Sequence, residues 1–215
     1  MLFPYRVRPG QESILREVAA LTVRGGPLLI NAPTGSGKTV ATLAPLLEHA
    51  TLADHRILYL VRTHAQEVQV LHETRTIAHR LERPVLAVGL QGRAGRCFLL
   101  ENVAEVKGAT AEEHGKLCAD RKRTTERAMQ GEAPLVAPTE LPEGGEIDLT
   151  DLDGCPYYAR VIQSDLDGLI ERFSQKLPNP AEFESFCREE NLCPYELSKK
   201  LVPHARIVTA PYAFF

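Results

Sequence analysis

Two groups of residues in this 215-residue chain have the types and spacing for chemistry. The first is Ala32-Pro-Thr-Gly-Ser-Gly-Lys-Thr39, a phosphate-cradling loop of the P-loop type with Ala32 where the strict pattern has Gly. Within Thr34-Gly35-Ser36-Gly37, the two glycines permit a tight backbone path and let main-chain amides approach an anion closely. Lys38 has the reach for the β- and γ-phosphates of ATP, and the Thr39 hydroxyl is placed to help hold Mg²⁺. The expectation is nucleotide binding. The second group is five cysteines, at 97, 118, 155, 187 and 193, with none in the first 96 residues.

A phosphate loop needs a strand before it and a helix after it. Residues 27–31 are an apolar run read as that strand, and residues 38–50 suit the helix. Residues 9–24 carry apolar positions at helical spacing and stop at Gly25-Gly26. Residues 56–61 and 84–88 read as buried strands, with a helix over 64–80 that turns Val68, Leu71, Ile77 and Ala78 inward. Residues 205–210 are again strand-like. Strands alternating with helices imply a parallel α/β sheet. From about 92 to 195 the alternation fails. Helices are expected at 110–130, 157–173 and 180–191, and a loop rich in Pro, Gly and acids at 131–154. That stretch reads as an insertion between two sheet strands.

The composition is that of an ordinary globular protein, 44% hydrophobic with a net charge of −3. Charge is uneven: residues 1–96 carry 12 Lys/Arg against 7 Asp/Glu, and the remainder 13 against 21. A polyanionic partner therefore suits the first part better. No apolar stretch is long enough to span a membrane and no signal-peptide pattern opens the chain, so a cytoplasmic protein is expected.

In that compartment five cysteines do not suggest a disulfide framework. Their intervals are longer than the tight pairs of zinc sites, and Cys155 and Cys193 each precede proline, as the last cysteine of a ferredoxin-type iron–sulfur run does. Iron–sulfur ligation, a zinc site and unligated buried thiols all remain open on spacing alone, and Cys187 is either a spare thiol or a substitute ligand. The seven histidines show no metal-binding spacing. Arg121-Lys-Arg123 with Arg127 is a solvated helix face or a DNA contact, and the acidic residues 140–153 read as a connector.

Together these residues resemble the XPD family of superfamily-two DNA helicases, the iron–sulfur helicases that also include the DinG type. Phe3-Pro-Tyr5 and Arg8-Pro-Gly-Gln11 look like its Q-motif region, and Ala32 matches helicase-type loops. Val61-Arg-Thr63 looks like motif Ia, Gly92-Arg93 to Cys97 like the entry to the cluster domain, and Cys193-Pro-Tyr-Glu196 like the return. The resemblance implies a RecA-like P-loop parallel sheet interrupted by a small, mostly helical [4Fe–4S] insertion. It divides the chain into 1–91, 92–195 and 196–215. It implies a 5′→3′ DNA helicase, monomeric, acting in repair on single-stranded or forked DNA. Gln11 would read adenine, with Thr34, Gly35, Ser36, Gly37, Lys38 and Thr39 on ATP and Mg²⁺. Cys97, Cys118, Cys155 and Cys193 would hold the cluster. Arg62, Thr63 and Arg93 would follow the single strand, with Tyr157, Tyr158 and Tyr195 as stacking groups or core.

One departure matters. No Asp-Glu dipeptide occurs, so the acidic motif that completes such an ATP site is missing. The chain is expected to be the N-terminal fragment of a longer helicase, with the second motor domain elsewhere, and to be inactive alone. A catalytically silent binding module, or another P-loop ATPase with a structural zinc domain, are the alternatives.

Overall fold

The computed structural model describes residues 3–81, 83–93, 96–103, 108–132 and 154–214. Among the described residues there are eight α-helices: α1 Gln11–Arg24, α2 Lys38–Leu52, α3 His64–Ala78, α4 Ala111–Arg127, α5 Pro156–Gln163, α6 Leu166–Lys176, α7 Pro180–Glu189 and α8 Pro194–Leu201. Three strands accompany them, β1 Ile57–Val61, β2 Ala87–Gly89 and β3 Ile207–Pro211. The chain divides into two compact units, one made of residues 1–90, 166–180 and 201–215, the other of 91–165 and 181–200.

The first unit is α/β, as expected. All three strands are parallel in the order β1-β3-β2, with Ile57 and Ala87 both in register with Ile207. Parallel neighbours cannot be joined by tight turns. Here α3 connects β1 to β2, and more than a hundred residues separate β2 from β3. The core fills the space between sheet and helices with Leu43, Ala44 and Leu47 from α2, Val70, Leu71 and Ile77 from α3, and Val61, Ala87 and Ile207 from the strands. Leu177, just beyond α6, joins that core, and its carbonyl accepts a hydrogen bond from Arg75 Nε at 2.7 Å.

Two expectations for this unit need correction. Residues 27–31 form no strand, although the P-loop and its helix follow as anticipated. A strand exists only where a neighbour supplies ladder partners, and Leu29 is 94% exposed. The outer strand β1 likewise turns Leu58 and Leu60 to solvent, so one of its faces is uncovered. On α3, Val68 points outward and a glutamate, Glu67, is fully buried instead.

The second unit has no strand among its described residues. α4 opens with a capping box in which Thr110 and Glu113 satisfy each other's backbone amides. It closes in a turn where Gly131 takes φ 90. The single helix anticipated at 157–173 is two helices, α5 and α6, parted at Ser164 and Asp165. A small core of Leu99, Leu100 and Val103 packs with Cys97, Leu117, Cys155 and Tyr157. The acidic residues 140–153 lie outside the described residues.

Candidate functional site

The loop at 32–39 takes its shape from two glycines. Gly35 and Gly37 both sit in the left-handed region, at φ 79 and φ 76, which side-chain-bearing residues avoid. Gly37 is the N-cap of α2, so the loop delivers the chain to the positive end of a 15-residue helix, a natural seat for anions. Lys38 folds back across the loop, its ammonium donating to the carbonyls of Ala32 (2.6 Å) and Pro33 (2.7 Å). The Ser36 hydroxyl is enclosed and has no hydrogen-bond partner among the described residues. A glycine-rich turn with an orphaned hydroxyl and an ammonium at a helix N-terminus fits a polyphosphate with Mg²⁺.

Gln11 is only 4% exposed and touches the loop itself. Its Nε2 donates to the Ser36 carbonyl at 2.9 Å, and its Oε1 accepts the Arg8 amide at 2.8 Å. A Cβ at Gly37 would collide with that same Nε2, so Gly37 is required twice, for its φ and for this close approach. Gln11 is thus joined to the phosphate loop by a hydrogen bond from its side chain to a main-chain carbonyl.

Arg62 and Thr63 lie just past the carboxyl end of β1, on the side of a parallel sheet where ligands bind. Arg62 is exposed. Thr63 is the N-cap of α3, accepting the Gln66 amide at 3.3 Å, while Gln66 Oε1 accepts the Arg62 amide at 2.9 Å. Beside them sits a group that sequence reading passed over, the buried Glu67. Its carboxylate accepts from the Thr209 hydroxyl at 3.3 Å and lies 3.5 Å from His64 Nδ1. It had been read as one more polar position on a helix, and only the packing of α3 against β2 and β3 distinguishes it.

In the second unit Cys97, Cys118, Cys155 and Cys193 are near enough to influence one another electrostatically. Cys155 responds electrostatically to Cys97, Cys118 and Cys193, Cys193 to Cys97 and Cys118, and Cys97 to Cys118, so every pair among the four interacts. Burial is the main cause that pushes all four thiols above their ordinary range, Cys193 up to about 12. Backbone amides oppose it: those of Leu100 and Leu99 at Cys97, Tyr158 at Cys155 and Glu196 at Cys193. The Cys-Pro steps explain this arrangement. Proline is favoured in the first helical position, so Pro156 and Pro194 start α5 and α8. Each cysteine then sits immediately before a helix, where partial positive charge favours a thiolate.

Cys155 is placed by a tight turn. Gly154 has φ 92, and a Cβ there would meet the Thr125 backbone at 2.9 Å. The Thr125 hydroxyl accepts the Cys155 amide at 2.7 Å. Cys193 is tied to α5 through its amide, which donates to the Tyr157 carbonyl at 3.2 Å. Cys118 lies within α4, with the positive charges of Arg93, Lys122 and Lys199 and the negative charge of Glu196 acting on it. Cys187 is fully buried, with its thiol raised by burial and, of the cysteines, by Cys193. Among the described residues no three His, Cys, Asp or Glu side chains gather closely enough to hold one metal ion.

Arg93 is half-buried, its guanidinium 4.6 Å from the centre of the Tyr195 ring. Its Nη1 would lie 3.2 Å from a Cβ at Gly115. Tyr157 packs edge-on against Phe98 with ring centroids 5.6 Å apart, a core role. The Tyr158 hydroxyl donates to Glu126 at 2.8 Å, and Lys122 lies over its ring at 4.8 Å. No helix among the described residues is long and apolar enough to cross a membrane.

Comparison with known proteins gives these features a setting. The chain is 24% identical, over its whole length, to the general transcription and DNA repair factor IIH helicase subunit XPD/RAD3 of Saccharomyces cerevisiae, covering 26% of that protein. It is 27% identical over 72% of its length to the ATP-dependent DNA helicase XPD of Sulfolobus acidocaldarius, covering 25% of it. The chain therefore spans about a quarter of the length of these relatives. A solved XPD helicase structure superposes on 98% of the chain with a TM-score of 0.55 at 20% identity, covering 28% of that structure, which shows a shared fold. The DEAD_2 family model matches residues 59–215, a span that runs from within β1 and includes β2, β3, the Arg62-Thr63 step and every cysteine, and on that match the chain belongs to the DEAD_2 family.

Proposed function

We propose that this chain is the amino-terminal part of an ATP-dependent 5′→3′ DNA helicase of the XPD type, acting in DNA repair. Residues 32–39 would hold ATP and Mg²⁺, and the second unit would hold a [4Fe–4S] cluster on Cys97, Cys118, Cys155 and Cys193. The observation that carries the reading is that those four cysteines fall in one compact unit, Cys97 and Cys155 against the same small core of Leu99, Leu100 and Val103, in a member of the DEAD_2 family. A single zinc would need its ligands about 2.3 Å from one point. No three such side chains gather so closely among the described residues, so the choice of an iron–sulfur centre rests on the family resemblance and not on this geometry. Such a cluster would add a covalent staple to the core of that unit, in which Leu99, Leu100 and Val103 already pack with Cys97 and Cys155.

The chain's own residues have distinct tasks. Lys38 exchanges its two carbonyl partners for phosphate oxygens, and the Ser36 hydroxyl gains a partner. Gln11 holds the loop in register. Thr39 joins the Mg²⁺ shell. Arg62 meets the phosphate backbone of single-stranded DNA at the carboxyl edge of the sheet, with Thr63 fixing the turn that presents it. Arg93, braced on Tyr195, supplies positive charge in the second unit. Contacts of this kind bind a strand without reading its sequence, as a translocating enzyme needs.

Alone, the chain lacks the acidic residues that position the attacking water, so it binds nucleotide without turning it over. The reading is tested by extending the chain through the codons that follow and measuring unwinding of DNA with a 5′ or a 3′ single-stranded tail. ATP-dependent unwinding that needs the 5′ tail and is lost in Lys38→Ala is expected. Unwinding from a 3′ tail, or none with either, would overturn it.

A further inference from the structure

Residues 97–215 are acidic overall, with 13 Lys/Arg against 21 Asp/Glu, yet one part of the second unit gathers positive charge. An unbroken run of contacts links α4, α5 and α8 there. The Lys122 ammonium on α4 lies 4.8 Å from the centre of the Tyr158 ring on α5 and 3.0 Å from Glu196 Oε1 on α8. The other Glu196 oxygen, Oε2, lies 3.5 Å from the Lys199 ammonium, which is 5.4 Å from the centre of the Tyr195 ring. That ring also faces the Arg93 guanidinium, 4.6 Å from its centre. The Tyr158 hydroxyl donates to Glu126, which bounds the run on that side. Within the run, three cations stand against one carboxylate.

A buried carboxylate is costly unless it is paired, and Glu196 is buried. Its two lysines balance it, and it in turn gathers two ammoniums that would otherwise repel each other. Each ring steadies its cations through the negative charge of its face. Donor capacity is left over: Lys199 is exposed, and Arg93 Nε is enclosed with no hydrogen-bond partner among the described residues. Surplus cations interleaved with aromatic rings are the chemistry that follows a single nucleic-acid strand without reading it. We infer that Lys122 and Lys199, held in place by Glu196, bind backbone phosphates of single-stranded DNA. The inference deepens the strand-binding part of the proposed function, rests on it, and needs no metal centre. It adds to Arg93 two contact residues, Lys122 and Lys199, and one positioning residue, Glu196.

The test is binding of fluorescein-labelled oligo(dT) to the 215-residue chain, followed by anisotropy across a salt series. Each phosphate contact to a single strand contributes about 0.7 to the slope of log affinity against log salt, which is about fivefold in affinity between about 1 M and about 0.1 M salt. Lys199→Ala should lower the slope by about 0.7 and weaken binding about fivefold at about 0.1 M salt. Lys122→Ala combined with Lys199→Ala should lower the slope by about 1.4, and Lys199→Arg should leave it as in the wild type. Lys116→Ala removes the same charge from α4 at a site 73% exposed and outside the run, and should leave the slope unchanged. Glu196→Gln separates placement from charge: it makes the chain more positive yet releases the lysines, and should lower the slope. A slope that Lys199→Ala leaves unmoved, or that Lys116→Ala lowers as much, would overturn the inference, as would tighter binding by Glu196→Gln. Should Lys122→Ala or Glu196→Gln melt well below the wild type by circular dichroism, the exposed Lys199 decides. Binding weakened by Arg62→Ala but not by the two lysine changes keeps the strand reading and refutes the run. A wild-type chain that binds no oligo(dT) would refute the strand reading itself, and the run with it.

Discussion

Gln11 offers a sharp test of how the nucleotide loop is held. The family resemblance makes it a reader of adenine, whereas the structure joins its carboxamide to the loop by the Ser36 carbonyl (2.9 Å) and to the Arg8 amide (2.8 Å) at a site 4% exposed. Gln11→Ala removes both bonds. A buried hydrogen bond contributes about 0.5–1.5 kcal/mol net, so the pair supports the loop by about 1–3 kcal/mol, a factor of about 5–150 in affinity. If Gln11 acts as a brace, the loss falls on every triphosphate alike. Calorimetric titration with ATP, GTP and inorganic triphosphate, each with Mg²⁺, should show all three weakened by a similar factor. Gln11→Glu should be no better than Gln11→Ala, because a carboxylate oxygen would then face the Ser36 carbonyl. Weakening confined to ATP would refute the brace and leave the adenine contact as the main role.

Four further outcomes are expected. Lys38→Ala should reduce triphosphate binding at least tenfold while leaving the melting temperature within a few degrees, read by the same titration and by scanning calorimetry. Gly154→Ala forces a Cβ to 2.9 Å from the Thr125 backbone at φ 92. It should cost about 1–3 kcal/mol and lower iron content, because it displaces Cys155, as chemical denaturation and iron analysis would report. Thr63→Ala should cost about 1 kcal/mol through the lost α3 cap, measured as a lower urea midpoint. The last concerns pH. In metal-free protein the buried thiols have folded-state pKa values above their unfolded ones. Their contribution is therefore complete below about pH 8.5 and is lost as pH rises toward about 12 for Cys193, so the urea midpoint should fall across that range. Cluster-loaded protein should not show the fall.

The sequence carried the fold where local rules suffice. The periodicity of residues 64–80 located α3, and Gly25-Gly26 stopped α1 where the pattern said it should. The parallel sheet followed from strands at 57–61, 87–89 and 207–211, each near a compact apolar run. Residues 27–31 look no different as a string. They form no strand because pairing depends on neighbours, which no single segment encodes. Glu67 is another such case: its burial comes from β2 and β3, and a Cβ at Gly89 would lie 2.5 Å from its Oε1. At the cysteines, the Cys-Pro steps were visible in the sequence, with iron–sulfur, zinc and unligated thiols all open, but their physical role as helix starts needed α5 and α8 in place.

The most direct test of the central claim is the metal content of the chain. Purified without oxygen, the protein should be brown, absorb broadly near 400 nm, and contain about four irons and four acid-labile sulfides per chain. Replacing Cys97, Cys118, Cys155 or Cys193 by Ser should remove the colour, and replacing Cys187 should not. A colourless chain holding one zinc, or a cluster that survives the loss of Cys155 but not of Cys187, would contradict the account.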